Sequence, residues 1–218
     1  TFSSRGLGDV YKRQNVLYIT LEMAEERIAE RIDANLLDVT MEDLHDMPKQ
    51  LYEGKITKLR EKTQGQLVIK EYPTASAHSG HFKSLMNELA LKKSFRPDVI
   101  FIDYLNICAS SRFKGGNISS YFYVKAIAEE LRGLAVEFNV PIFSATQTTR
   151  TGYVSTDIGL EDTSESFGLP ATADFMFALI SNEELEALGQ MKVKQLKNRY
   201  NDPSINRAFI IGVDRAKM

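Results

Sequence analysis

The sequence predicts an α/β fold, a single domain on a mostly parallel central sheet with helices on both faces. Three observations carry this expectation. Short apolar runs of strand length ("NVLYIT", "QLVIKEY", "VIFID", "VPIFSAT") recur along the chain, with amphipathic stretches of helical length between them. That alternation marks crossover units joining parallel strands. The run over residues 99–102 is continuously apolar and follows Pro97, as expected of a strand buried on both faces. The length of 218 residues, with 43% hydrophobic and 26% charged content, suits one domain with a real core.

Each element has its own signal. After "NVLYIT", the segment "AEERIAERIDANLL" sets Ala24, Ile28, Ile32 and Leu36 on one helical face. Thr40 can cap a second helical region, with Asp43 at the third position after it, and Pro48 breaks or restarts that region. "QLVIKEY" reads as a strand, and "HFKSLMNELALKK" as a helix with Phe82, Leu85, Met86 and Leu89 on one stripe. "SRFKGGNISS" is a Gly-rich polar loop. In "YVKAIAEELRGLAVEF", Val124, Ile127, Ala128, Leu131, Leu134, Ala135 and Phe138 share one face, the strongest helical pattern in the chain. Beyond Gln147 a polar segment runs to about Ser166. "ADFMFALI" and "QMKVKQLKNRY" then read as strands, and "NRAFIIGV" after "NDPS" as the return arm of a C-terminal β-hairpin.

The formal net charge of -2 neither announces nucleic-acid binding nor excludes a local basic patch. The single cysteine, Cys108, forbids an internal disulfide and fits a reducing, cytoplasmic compartment. No apolar run approaches membrane-spanning length. "TFSSRGLGDVYKRQ", residues 1–14, lacks periodicity and resembles translated adapter sequence, so it is expected to be a non-native leader before a domain over 15–218.

Ligands of open α/β sheets sit at the carboxyl ends of the strands. Three strands here deliver Glu22, Asp103, and the pair Thr146 and Gln147 to those ends. Two carboxylates and an amide on one edge suit a nucleotide, a magnesium ion and an attacking water. Each residue alone also fits a solvated strand-to-loop junction or a helix cap. Their joint occurrence on three strands favours chemistry.

"YITLEM", "VIFIDYLNI", "FSATQTTR" and "VKQLKNRYNDPS" resemble, in order and spacing, the motifs of the DnaB-type replicative helicases. "VIKEYPTASA" and "EDTSESFGLPATADF" are most similar to the T4-type phage members. The resemblance covers nearly all of the chain from Asn15 onward. It implies a RecA-like ATPase fold that uses ATP and Mg2+ in a homo-oligomeric, hexameric ring on single-stranded DNA. Translocation is expected 5′ to 3′, with primase and a helicase loader as further partners. Glu22 matches the glutamate that polarises the attacking water, and Asp103 the Walker B aspartate that holds magnesium through water. Gln147 matches the glutamine linking the γ-phosphate state to the DNA-facing loops. Lys197 and Arg199 match the lysine and arginine finger that reach the neighbouring subunit's nucleotide. As alternate residues of a strand they also point to one face, so both can address one phosphate.

The loops that face DNA in the family correspond to residues 110–119 and 162–168. Arg112 and Lys114, then Glu165, Ser166 and Phe167, are the candidate contacts, with Ser164 standing where bacterial members often carry Arg. The P-loop pattern G-x-x-x-x-G-K-[ST], expected before "YITLEM", does not occur in the sequence. A RecA-type recombinase, or an inactive module that joins a ring, is the alternative to a helicase motor. His78 and His81 suggest zinc only superficially, because structural zinc takes four ligands and Cys108 is the only soft partner.

Overall fold

A computed structural model describes residues 14–113, 118–148, 159–160, 168–202 and 204–217. The elements follow in chain order: β1 (Val16–Thr20), α1 (Glu25–Leu37), α2 (Met41–Asp46), α3 (Lys49–Lys62), β2 (Leu67–Glu71), α4 (Ser79–Lys93) and β3 (Val99–Asp103). Then come α5 (Ser120–Phe138), β4 (Ile142–Ser144), α6 (Gly168–Thr172), β5 (Phe175–Ile180), α7 (Glu183–Ala187), β6 (Gln190–Asn198) and β7 (Ala208–Gly212).

Local chemistry sets the helix boundaries. Thr40 caps α2 through a reciprocal pairing with Asp43, as its sequence signature predicts. Pro48 occupies the cap of α3 and so separates the two helices. The chain leaves α1 and α5 through Asp38 and Asn139, both in the left-handed region. α4 is capped by an unexpected pair. His78 Nδ1 accepts from the Gly80 N–H, and His81 Nδ1 accepts from the His78 N–H. Their rings lie 4.0 Å apart, so these nitrogens serve a helix end. Among the described residues no group of three or more His, Cys, Asp and Glu could hold a metal.

The first four strands form one parallel sheet in the order β2-β1-β3-β4. One face carries Leu17, Ile19, Ile100 and Ile102, which join Phe82, Met86 and Leu89 of α4 and Val124, Ile127, Leu131 and Leu134 of α5 in the main core. On the other face Tyr18, Phe101 and Phe143 stack in a row across three strands. Phe101 remains 37% exposed and Phe143 53%. The expectation that residues 99–102 are buried on both faces is therefore corrected: Ile100 and Ile102 are buried, and Phe101 is not. A continuous apolar run does not distinguish a doubly covered strand from one with an aromatic on its open face.

β5, β6 and β7 form a separate antiparallel sheet in that order, and β6 with β7 is the expected hairpin. The helices α6 and α7, five residues each, had no periodic signal because a single turn shows none. No helix among the described residues is long and apolar enough to cross a membrane.

Candidate active site

Sheet register brings the expected strand ends together. Thr20 pairs with Asp103 and Ile102 with Ser144, so β1, β3 and β4 finish on one edge. The Leu21 N–H donates to the Asp103 carbonyl at 2.8 Å, which carries the β1–β3 pairing one residue past the strand. Thr20 is fully buried. Its hydroxyl donates to the Met23 carbonyl at 2.8 Å and accepts from the Met23 and Glu22 N–H groups at 3.0 and 3.4 Å. This small turn leaves the Glu22 side chain exposed at the sheet edge.

Asp103 is the last residue of β3, and the Tyr18 hydroxyl donates to its Oδ2 at 3.0 Å. Burial, then the charge and hydrogen bond of Asp103, push the Tyr18 phenol up to about 12, with Glu22 adding to the effect and Arg31 opposing it. Tyr18 thus stays a protonated donor at any physiological pH. A carboxylate has about four acceptor sites, so this one donor among the described residues leaves Asp103 capacity for more. The Gln147 amide donates to the Tyr104 hydroxyl at 3.1 Å, and Tyr104 directly follows Asp103 through a cis peptide bond. Thr146 Oγ1 is buried with no partner among the described residues, beside Gln147.

The basic pair stands on the antiparallel sheet. Lys197 lies in β6 and Arg199 just beyond it, and both reach the same side, as alternation predicts. Lys197 Nζ donates to the Pro170 carbonyl and, at 3.4 Å, to that of Ala171. Arg199 donates to the Ala171 carbonyl at 2.9 Å and pairs with Asp174 at 3.2 Å. From α5, Arg132 reaches Asp174 at 2.7 Å and the Thr172 carbonyl at 3.0 Å. The carbonyls are the unpaired acceptors at the end of α6, where cations are favoured. Burial, then the charge of Arg199, lower the Lys197 pKa. Among the described residues no hydrogen bond or ion pair joins this pair to Glu22, Asp103 or Gln147.

Of the candidate DNA contacts, Arg112 is exposed and pairs with Glu129 of α5 at 2.6 Å. Beside it, Arg112, Phe113, Phe122, Lys125 and Glu129 border an open hollow of about 610 Å3. Lys114, Glu165, Ser166 and Phe167 lie outside the described residues. Sequence reasoning missed Tyr18, Asp174, Arg132 and Glu130. Glu130 alone left a legible trace: it falls three residues after Ile127 and four before Leu134, a carboxylate inside the apolar stripe of α5.

The parallel order β2-β1-β3-β4 with an adjoining antiparallel sheet is that of a RecA-like α/β domain. Two solved structures share it: a DnaB-like replicative helicase studied with its interactions with primase, and a separately solved ATPase domain. The first superposes with a TM-score of 0.72 at 17% identity, over 94% of this chain and 49% of that one. The second gives 0.70 at 17% identity, over 91% and 70%. Residues 6–211 match the family model for the DnaB-like helicase C-terminal domain, and the chain belongs to that family. It is 50% identical over 204 residues to the DnaB-like replicative helicase of Enterobacteria phage T4, covering 92% of this chain and 43% of that protein. A probable plasmid replicative DNA helicase of Chlamydia trachomatis is 34% identical over 146 residues, 65% of this chain and 30% of its own length. The chain therefore spans less than half the length of these curated relatives.

Proposed function

We propose that this domain is the motor of a phage replicative DNA helicase, coupling ATP hydrolysis at the subunit interfaces of a hexameric ring to 5′-to-3′ movement along single-stranded DNA. The observation that carries the reading is the meeting of Glu22, Asp103 and Gln147 on one sheet edge, on the strands whose motifs match the family. Glu22, exposed and set out by the Thr20 turn, orients the attacking water and takes its proton. Asp103, held by Tyr18 and with acceptor capacity to spare, fits the outer-shell aspartate that holds a magnesium ion through water. Magnesium, when bound with the nucleotide, neutralises charge on the transferring phosphate. Gln147 senses that phosphate and passes its state to the loop after β4. Arg199 and Lys197 complete the site of the neighbouring subunit.

DNA runs along the loops 110–119 and 162–168, through Arg112, Lys114 and Glu165 to Phe167. Primase and a helicase loader are the further partners expected of such a ring. The 218-residue chain by itself turns over little ATP, because its sequence holds no G-x-x-x-x-G-K-[ST] cradle for the phosphates. The test is a pair of variants in the protein expressed from its complete reading frame. Glu22→Gln should bind magnesium-ATP and DNA yet hydrolyse at least about a hundredfold more slowly. Asp103→Asn should also weaken magnesium-dependent nucleotide binding. Wild-type turnover by Glu22→Gln removes the assignment.

A further inference from the structure

The α5 carboxylate of Glu130 is buried, 9% exposed, and gathers the root of the loop that follows β3. Its Oε1 accepts from the Ser110 hydroxyl at 2.6 Å, and its Oε2 from the Ser111 hydroxyl at 2.7 Å. The Ser111 N–H lies 3.0 Å from both oxygens, and the Arg112 N–H 3.4 Å from Oε1. A further donor, the Ser79 hydroxyl at 2.8 Å, comes from the first turn of α4. Burial raises the Glu130 carboxyl pKa, but the bonds from Ser110, Ser111 and Ser79 together outweigh it and hold the carboxyl below its usual range. A charged acceptor with this many donors fixes geometry as well as position. Tyr123, also on α5, adds a second tie by accepting from the Ser110 N–H at 3.1 Å.

We propose that Glu130 is a positioning residue for DNA engagement: it clamps residues 110–112 to α5 and so aims the Arg112 guanidinium at the phosphate backbone. This rests on the reading of the 110–119 loop as a DNA-facing segment. The clamp explains a division of roles between adjacent acids. Glu130 holds the backbone of Arg112 from inside, while Glu129 holds its guanidinium at the surface. The surface pair is exchangeable and the interior clamp is not. An incoming phosphate can take the place of Glu129 while the loop root keeps its shape.

The experiment is a double-mutant cycle on single-stranded DNA affinity, using the protein from its complete reading frame and a fluorescent oligo-dT with a non-hydrolysable ATP analogue. Arg112→Ala should weaken binding several-fold and lower its salt dependence. Glu130→Gln should weaken binding by a similar factor, and the double variant should be no worse than the poorer single one. A second route leaves Glu130 in place: Ser110→Ala with Ser111→Ala removes two donors from the loop side and should reproduce the loss if Glu130→Gln fails to fold. Should Arg112→Ala weaken binding while neither clamp variant does, or should the two effects simply add, Glu130 is only a structural carboxylate and the proposal falls. If Arg112→Ala itself leaves DNA binding unchanged, the DNA-facing reading of this loop fails, and the proposal with it.

Discussion

The two groups of candidate catalytic residues are held in opposite ways. Glu22, Asp103 and Gln147 are placed by parallel strand register, and their side chains keep acceptor or donor capacity to spare: Asp103 receives Tyr18, and Glu22 stands exposed. Lys197 and Arg199 are docked against their own chain, on the Pro170 and Ala171 carbonyls and on Asp174. The first group is ready for a ligand that arrives at the edge. On the proposed reading, the second exchanges contacts it already has for a phosphate. A strand end can thus present a residue outright, whereas a long basic side chain is presented only relative to what else it can bind.

Three experiments test this contrast. The largest effect is expected at Arg199. Arg199→Ala should slow hydrolysis by roughly 10³ to 10⁵ if it supplies an arginine finger, with nucleotide binding changed less. Mixing Arg199→Ala subunits with Glu22→Gln subunits should rebuild interfaces with both residues intact and raise turnover above the sum of the separate proteins. If mixed rings form and turnover stays at that sum, both groups serve one subunit and the contrast collapses.

The next effect concerns Tyr18. A hydrogen bond to a charged group contributes about 1.5–3 kcal/mol, so Tyr18→Phe should lower stability by about that amount and, by freeing the Asp103 carboxylate to reorient, weaken magnesium-dependent nucleotide binding. The sign of the linked titration is fixed. Asp103 raises the Tyr18 pKa, so Asp103→Asn should bring phenol ionisation down from about 12 part of the way toward 10, the remainder being due to burial. Tyrosine ring carbon shifts followed by NMR on alkaline titration read this directly. An unmoved Tyr18 would mean that the contact with Asp103 is not maintained in solution.

The smallest effect is expected at Asp174, which bridges Arg132 and Arg199 on a partly exposed surface. Such pairs contribute about 0.2–1 kcal/mol, so Asp174→Asn should lower the melting temperature only slightly. Hydrolysis should fall a few-fold in rings as Arg199 loses its orientation. A steady-state comparison with Arg132→Ala separates the causes: if Arg132→Ala has the same effect on turnover, anchoring of the β5 entrance matters more than the direct contact with Arg199.

Much of this arrangement is legible in the chain itself. Apolar strand runs and the stripe of α5 are local patterns, and each leads to an element where expected, as does the Thr40–Asp43 cap of α2. Glu22, Asp103 and Gln147 are legible because a strand that meets a polar residue at its carboxyl end announces the edge it delivers to. The two short helices are not, nor is the open aromatic face, since neither changes a periodic pattern. The polar partners are least legible. Tyr18 is 85 residues from Asp103, and Glu130 is 51 from Ser79.

Local pattern in the chain settled which segments become strands and the longer helices, which residues stand at the strand ends, and to which family the motifs point. Packing settled the rest: that Tyr18 restrains Asp103, that Asp174 and the α6 carbonyls hold the basic pair, and that Glu130 clamps the loop root. The physical reason is range. Periodicity and capping are fixed by neighbours a few residues away, so they are written in the chain. A buried polar group takes whichever donor or acceptor the packing of distant elements brings within about 3 Å, and that choice is made only when the sheet and its helices close together.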